Sequence, residues 1–341
     1  MEQKTGQEDR AIIDVRDLSV EFPMLGGTIH AVNHVDFAVP RHTITALVGE
    51  SGSGKSTLAS AILNMVSSPG RITGGEIRYN GQDMLKYNAK QLREYRWEQV
   101  SMVFQAAQNA MNPLLTVREQ MKETLLAHAP DKKDKEQEIE ELLVRLLDYV
   151  RLEPERVLKC YPHELSGGMK QRVMIAFSML LHPQLIILDE PSTALDVITQ
   201  DYIFTILQQI FEEMDLSMLL LTHDIAIVAK VAQRVSVMYA GNIIETGDIF
   251  SVFDSPKHEY TRLLIEAAPS IVGSLGERRG IVGSPPDLIH LPAGCAFMPR
   301  CGEACEACAL SKPPLVQVGE DHFVACHRYT QKGGEGHDTD R

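Results

Sequence analysis

Gly49-Glu50-Ser51-Gly52-Ser53-Gly54-Lys55-Ser56-Thr57 is the stretch whose reading decides the fold. It follows an apolar run, Ile44-Thr45-Ala46-Leu47-Val48, and precedes Leu58-Ala59-Ser60-Ala61-Ile62-Leu63. That succession reads as a strand, a glycine-rich turn and a helix start. The spacing fits G-x-x-x-x-G-K-[ST], a loop that wraps phosphates. Its glycines let backbone N–H groups point inward, because a Cβ would block close approach. The helix N-terminus adds partial positive charge. Lys55 is placed to reach β- and γ-phosphates, and the Ser56 hydroxyl to ligate Mg²⁺. Residues 49–57 are therefore the candidate nucleotide-binding loop.

The neighbouring segments give the loop its setting. Ile12 to Phe22 and Ile29 to Val39 alternate and are rich in β-formers, which predicts an antiparallel sheet leading into the loop strand. Gly75-Glu76-Ile77-Arg78-Tyr79-Asn80-Gly81 reads as a strand ending in an Asn-Gly turn. Val100-Ser101-Met102-Val103-Phe104 reads as a short buried strand ending at Gln105. Ile139, Leu142, Leu143, Leu146, Leu147 and Val150 have helical spacing, so roughly 107–180 reads as a helical insertion. The charge run Asp131 to Glu141 reads as the solvated start of that helix. Leu185-Ile186-Ile187-Leu188 and Met218-Leu219-Leu220-Leu221 are continuous apolar runs, as parallel strands buried on both faces require. The fold expected is α/β, with an antiparallel β layer, a helical insertion and a separate cysteine-rich tail beginning near Gly283-Ser284-Pro285-Pro286.

Composition narrows the class. The chain has 341 residues, 44% hydrophobic and 23% charged, an ordinary globular balance. A net charge of −13 argues against a sequence-independent grip on nucleic acid. The longest apolar candidate for a membrane span, Val173 to Leu188, is broken by His182-Pro183. Met1 to Arg10 is polar and charged, unlike a signal peptide. The expectation is a cytoplasmic protein that docks on membrane partners. Five of the six cysteines lie beyond residue 290, and in a reducing compartment such a cluster points to a metal site before disulfides.

Leu185-Ile186-Ile187-Leu188-Asp189-Glu190 ends a hydrophobic strand in two acids. In a nucleotide-binding α/β sheet, ligands sit at the carboxyl ends of strands. Asp189 can then hold Mg²⁺, and Glu190 can orient or deprotonate the attacking water. Leu165-Ser166-Gly167-Gly168-Met169-Lys170-Gln171-Arg172 places a Ser-Gly-Gly turn at a helix start, a second anion-ready N-terminus. With these marks together, the chain resembles the nucleotide-binding subunits of ABC transporters, a P-loop NTPase type, over about residues 11–265. In that resemblance Ser166, Gly167 and Gly168 belong to the signature sequence, and Gln105 is the Q-loop glutamine, a further Mg²⁺ contact. Ser192-Thr193-Ala194-Leu195-Asp196 is the D-loop, and His223 in Leu221-Thr222-His223-Asp224 is the switch histidine. Phe22 sits where the family stacks an aromatic on adenine. The resemblance implies that two domains pair head to tail. Each ATP is then held by one loop and by the other subunit's Ser166-Gly167-Gly168 turn, with Glu190 and His223 as catalytic residues.

Gly294-Cys295-Ala296-Phe297-Met298-Pro299-Arg300-Cys301 leads on to Cys308, Pro313-Pro314-Leu315 and Val324-Ala325-Cys326. This resembles the extension, here residues 266–330, of oligopeptide and dipeptide importer ATPases. In those proteins four cysteines can hold a [4Fe-4S] cluster; the matching positions are Cys295, Cys301, Cys308 and Cys326. Thiolate chemistry alone suits Zn²⁺ equally. Cys305 is additional to the pattern, and Cys160 reads as a small packing residue. Tyr161-Pro162-His163-Glu164 and Asn112-Pro113 resemble the same branch. It implies two transmembrane permeases, a second ATPase subunit (a different chain or another copy), an external solute-binding protein and a place on the cytoplasmic side of the membrane. Peptides, nickel complexes, glutathione or oligosaccharides are the cargoes of that branch. The competing readings are a soluble ABC ATPase that moves nothing and a scaffold that binds ATP without hydrolysis. The cysteine site's expected role is structural or in docking, and Cys301→Ser is expected to release the metal and loosen the tail while leaving nucleotide binding at Lys55 intact.

Overall fold

The computed structural model describes residues 11–105, 109–193, 195–268 and 280–330. Strand β1 (Ala11–Met24) buries Ile13 and Val15 and then, past a register shift, Leu18 and Val20, the period-two burial of a half-covered sheet interrupted once. It pairs with β2 (Gly27–Pro40) on one side and with β4 (Arg71–Tyr79) on the other, both antiparallel. Asn80 and Gly81 both take left-handed backbone, φ 48° and 79°, and turn β4 into β5 (Gln82–Asp83). Two such residues make the tight turn that matches strand twist, so the Asn-Gly pair is the residue choice that turn demands. The four strands form one sheet in the order β2-β1-β4-β5.

The second sheet has eight strands. Its parallel part comprises β3 (Ile44–Val48), β6 (Val100–Val103), β7 (Leu185–Asp189), β8 (Ser217–Thr222) and β9 (Arg234–Tyr239). The order runs β11-β12-β10-β9-β3-β8-β7-β6, with β10 (Asn242–Asp248) antiparallel to β9. The hairpin β11 (Val316–Gly319) and β12 (His322–Val324) adds to β10. The cysteine-bearing tail, expected to stand apart, therefore supplies two strands of the main sheet. Thr246 opposite Phe323 and Glu245 opposite Val324 make that join.

Strand residues divide by parity between two cores. Ala46, Val48, Ile186, Leu188, Met218 and Leu220 point to the helical side. There they meet α2 (Val117–His128), α3 (Glu136–Tyr149), α4 (Gly167–Ser178) and α5 (Val197–Glu213). Leu47, Leu185, Ile187, Leu219 and Leu221 point the other way, against α1 (Lys55–Ile62) and the antiparallel sheet. Burial on both faces is why these strands read as unbroken apolar runs. In α3 the buried residues are Ile139, Leu142, Leu143, Leu146 and Leu147, the stripe read from the sequence. Cys160 packs at the edge of this core.

Two local readings change. Strand β6 stops at Val103, paired with Leu188, and Phe104 is 44% exposed instead of buried. Phe104 lies beyond the paired residues, so nothing in the sheet covers it. The charged run before α3 is only partly helical: the helix starts at Glu136, after a short 3₁₀ turn over Pro130–Lys132.

Candidate functional site

Register brings the candidate residues to one edge. Val48 lies beside Thr222, Asp189 beside Leu221, and Val103 beside Leu188. All four strands run parallel, so Gly49, His223, Glu190 and Gln105 leave the sheet at the same carboxyl edge. Side chains from four separate segments meet there because the topology ends four strands together.

The loop is built by close backbone approach. Gly49 has φ 155° and Gly54 φ 106°. A Cβ on Gly49 would stand 2.1 Å from the Met238 carbonyl oxygen, and one on Gly54 would stand 2.2 Å from that of Ala31. No side chain fits either position. Ser53 is buried, its N–H donating to the Glu50 carbonyl at 3.2 Å while its own carbonyl accepts the Gly241 N–H at 2.9 Å. The loop is thus clamped between β2 and the β9–β10 turn.

Lys55 is buried inside its own loop. Its ammonium donates to the carbonyls of Gly49 at 2.7 Å and Glu50 at 3.0 Å. Burial lowers its pKa, and the nearby charges of Glu190, Asp189 and Glu50 oppose that shift. Ser56 donates its hydroxyl to Asp189 Oδ1 at 3.1 Å. Asp189 is 4% exposed, and burial raises its pKa against the opposing pull of Ser56 and Lys55. A hydroxyl and a buried carboxyl side by side are hard oxygen donors of the kind Mg²⁺ takes.

Glu190 and His223 come together: the imidazole Nδ1 lies 2.8 Å from Glu190 Oε1. Thr193 donates its hydroxyl to the other carboxyl oxygen at 3.4 Å. Glu190 has left-handed backbone, φ 50°, and its N–H is tied to the Leu221 carbonyl at 2.9 Å, which turns the side chain off the strand direction. The Glu190 side chain is 11% exposed and that of His223 is 67% exposed. One wall of this pair is therefore open.

The other candidates are more scattered. Gln105 is exposed, two residues past β6. Phe22 is half-buried in β1, its ring filling the space over Gly70. Ser166 caps α4 by accepting the Met169 N–H at 3.3 Å, and Ser166 and Gly167 are exposed. Among the described residues, no hydrogen bond joins Ser166, Gly167 or Gly168 to residues 49–57. Gly168 instead lies over Thr199, whose methyl a Cβ would meet at 2.7 Å. Ser192 is buried and Asp196 caps α5 through Thr199, while Ala194 of that run lies outside the described residues.

Cys295, Cys301, Cys308 and Cys326 line one cavity of about 20 Å³. Gly294 permits it: its absent Cβ would stand 2.0 Å from the Cys308 carbonyl oxygen, and the Cys295 N–H donates to that carbonyl at 2.8 Å. Burial pushes the Cys295 thiol up to about 11 and raises Cys301, Cys308 and Cys326 as well. Cys305 Sγ lies 3.5 Å from Cys308 Sγ. Among the described residues, no three His, Cys, Asp or Glu side chains are set around a single metal ion.

Two residues escaped the sequence reading. Tyr260 accepts the Glu50 N–H on its hydroxyl at 2.8 Å, and Arg300 binds the Glu50 carboxyl with both terminal nitrogens, at 2.8 and 3.0 Å. Arg300 was in view only as a neighbour of Cys301. No local string signals a partner 250 residues away.

Comparison with known proteins decides the family. The ABC transporter pattern matches residues 32–193, and the oligopeptide/dipeptide transporter C-terminal region matches residues 244–308. The dipeptide transport ATP-binding protein DppD of Caldanaerobacter subterraneus is 40% identical over 320 residues, 94% of this chain and 98% of that protein. The chain belongs to the ABC transporter family. The oligopeptide transport ATP-binding protein OppD of Escherichia coli is 41% identical to this ABC subunit, over 94% of each chain. Among solved structures, the dimeric bacterial ABC transporter cassette MJ0796 matches with a TM-score of 0.59 at 27% identity, covering 70% of this chain and 98% of that one. CbiO1 from Clostridium perfringens, part of the ABC transporter complex cbiONQ, matches with a TM-score of 0.62 at 28% identity, covering 72% and 92%. The protein is an ABC ATPase with the mixed α/β cassette fold and its antiparallel sheet.

Proposed function

We propose that this ABC ATPase powers a membrane importer for peptides or similar solutes. The observation that carries the reading is the convergence of Lys55, Ser56, Asp189, Glu190 and His223 on one sheet edge, in a chain whose relatives are named for dipeptide and oligopeptide transport. Those names give the soluble, non-transporting alternative no support.

The chemistry follows from the side chains. ATP phosphates would take the loop N–H groups of residues 49–57, and Lys55 would exchange its two carbonyl partners for phosphate oxygens. Ser56 and Asp189, with Gln105, would hold Mg²⁺, which neutralises phosphate charge. Glu190 would take a proton from the attacking water, with His223 keeping its carboxyl in place and touching the γ-phosphate. Phe22, half-buried in β1, would stack its ring on adenine.

The Ser166-Gly167-Gly168 turn would serve a second ATPase subunit, different or identical, because it is exposed and makes no bond to its own loop. Val197 and Ile198, 79% and 83% exposed at the start of α5, lie beside it and suit such an interface. Phe104 and Leu114, 44% and 81% exposed, flank Gln105 in sequence and suit contact with the permeases. Among the described residues no helix is long and apolar enough to cross a membrane, so attachment at the cytoplasmic face would run through those partners.

The four extension cysteines would hold a [4Fe-4S] cluster. Soft thiols from separate segments line one cavity, which is the donor chemistry of that group; at about 20 Å³ the cavity would have to widen to admit it, and the raised thiol pKa values mean that ligation must release protons. As placed, no three surround a single ion, so Zn²⁺ would have to draw the sulfurs together. Metal analysis of anaerobically purified protein checks this: about four irons per chain supports the cluster, and zinc without iron refutes it. Transport itself is tested in proteoliposomes holding the ATPase pair and permeases. ATP-dependent peptide uptake supports the importer, and a fully active ATPase that binds no permease contradicts it.

A further inference from the structure

Glu50 is an acid inside a loop built to receive anions. Left free, its carboxylate would repel phosphate and compete for Lys55, on which its charge already acts. Arg300 offsets both. Its guanidinium binds Glu50 through two parallel bonds, at 2.8 and 3.0 Å. Its remaining hydrogens go to the Tyr239 hydroxyl at 3.2 Å and to the carbonyls of Val282 at 3.0 Å and Ile281 at 3.4 Å. The rings of Tyr239 and Phe297 lie against it, with centroids 5.9 and 5.8 Å away. The Arg300 side chain is 5% exposed and that of Glu50 is 26% exposed. A buried fork with every donor spent and a planar carboxyl partner is a fixed geometry, which a lysine could not reproduce. Tyr260 fixes the same residue from the backbone side.

We propose that Arg300 is a positioning residue of the nucleotide site: by clamping Glu50 it keeps the phosphate loop electrically open to ATP, so the carboxyl-terminal extension sets nucleotide affinity. The proposal rests on residues 49–57 being the nucleotide loop. It also gives the tail a role beyond the structural or docking one expected of its metal site, since the clamp is the residue before Cys301.

The test measures equilibrium ATP binding and the split between KM and kcat in the full chain. Arg300→Ala should raise Kd and KM for ATP about tenfold or more, because an unpaired half-buried carboxylate is left in the loop, with the loss falling on KM and not kcat. Adding Glu50→Gln to Arg300→Ala should recover most of the lost affinity, since the offending charge is gone. Arg300→Lys should recover less than that pair, having lost the fork. Wild-type affinity in Arg300→Ala overturns the proposal. A double variant no better than the single one also overturns it, because the arginine then serves only the fold. Should Arg300→Ala not fold, unchanged affinity in Arg300→Lys overturns it instead. Lys55→Ala is measured alongside: retained ATP binding there would refute the loop reading itself, a separate failure.

Discussion

At the residue scale, the roles proposed for Glu190 and Lys55 predict different failures. Among the described residues the Glu190 carboxyl makes no hydrogen bond to the loop, although its charge acts on Lys55; its hydrogen-bond partners are His223 and Thr193. Glu190→Gln should therefore bind ATP as the unaltered chain does while losing turnover by roughly 10²–10⁴-fold, the usual span of a general base. Turnover beside nucleotide affinity checks it, and an unchanged rate removes Glu190 from the chemistry. Lys55 is buried among the loop carbonyls, so Lys55→Ala should weaken ATP binding itself by about tenfold or more. Isothermal titration reads this directly. The placement of these residues was legible in sequence because each belongs to a short string: a glycine-lysine loop, two acids after an apolar strand, a histidine after another. Arg300 was not, because its role exists only once the fold brings residue 300 to residue 50. Phe104 misled for a related reason: it continues an apolar run but lies one residue past the last pair that β6 makes with β7.

At the scale of elements, the helix α6 (Glu259–Ala267) carries a pH dependence. Its N-cap is His258, fully buried, whose Nδ1 accepts the Tyr260 N–H at 3.1 Å. Burial lowers the His258 pKa to about 4, with Glu245 and Glu259 opposing the shift. The unfolded chain binds that proton more readily than the folded one, so stability rises with pH across the window. It is fully present above about 6.5 and should fall by roughly 3 kcal/mol as pH drops toward 4. Thermal unfolding at pH 7.5 and pH 5 reads the loss, and His258→Asn, which keeps a capping acceptor without titrating, should flatten it. The neighbouring carboxyl of Glu245 takes the N–H groups of Lys257 and His258 and lies 2.8 Å from His322 Nε2 in β12. That bond helps fasten the extension to the sheet. Element types were readable wherever period and punctuation agreed, as in α3 and the Asn80-Gly81 turn. The joining of β12 to β10 was not, since His322-Phe323-Val324 carries no mark of which strand it will meet.

For the whole molecule, the sheet edge gathers one set of catalytic parts and leaves another facing outward. Ser56 bonds Asp189, His223 meets Glu190, and both acids act on Lys55, while the Ser166-Gly167-Gly168 turn caps α4 in the open. The account's central claim is that a nucleotide bound at residues 49–57 is completed by the turn of a second ATPase subunit. The most direct measurement is the ATP turnover per chain of a preparation verified as monomeric, repeated with its partner ATPase and permeases added. Slow turnover alone and a large rise on assembly are expected. Full turnover in the verified monomer, unaltered by the partners, would contradict it.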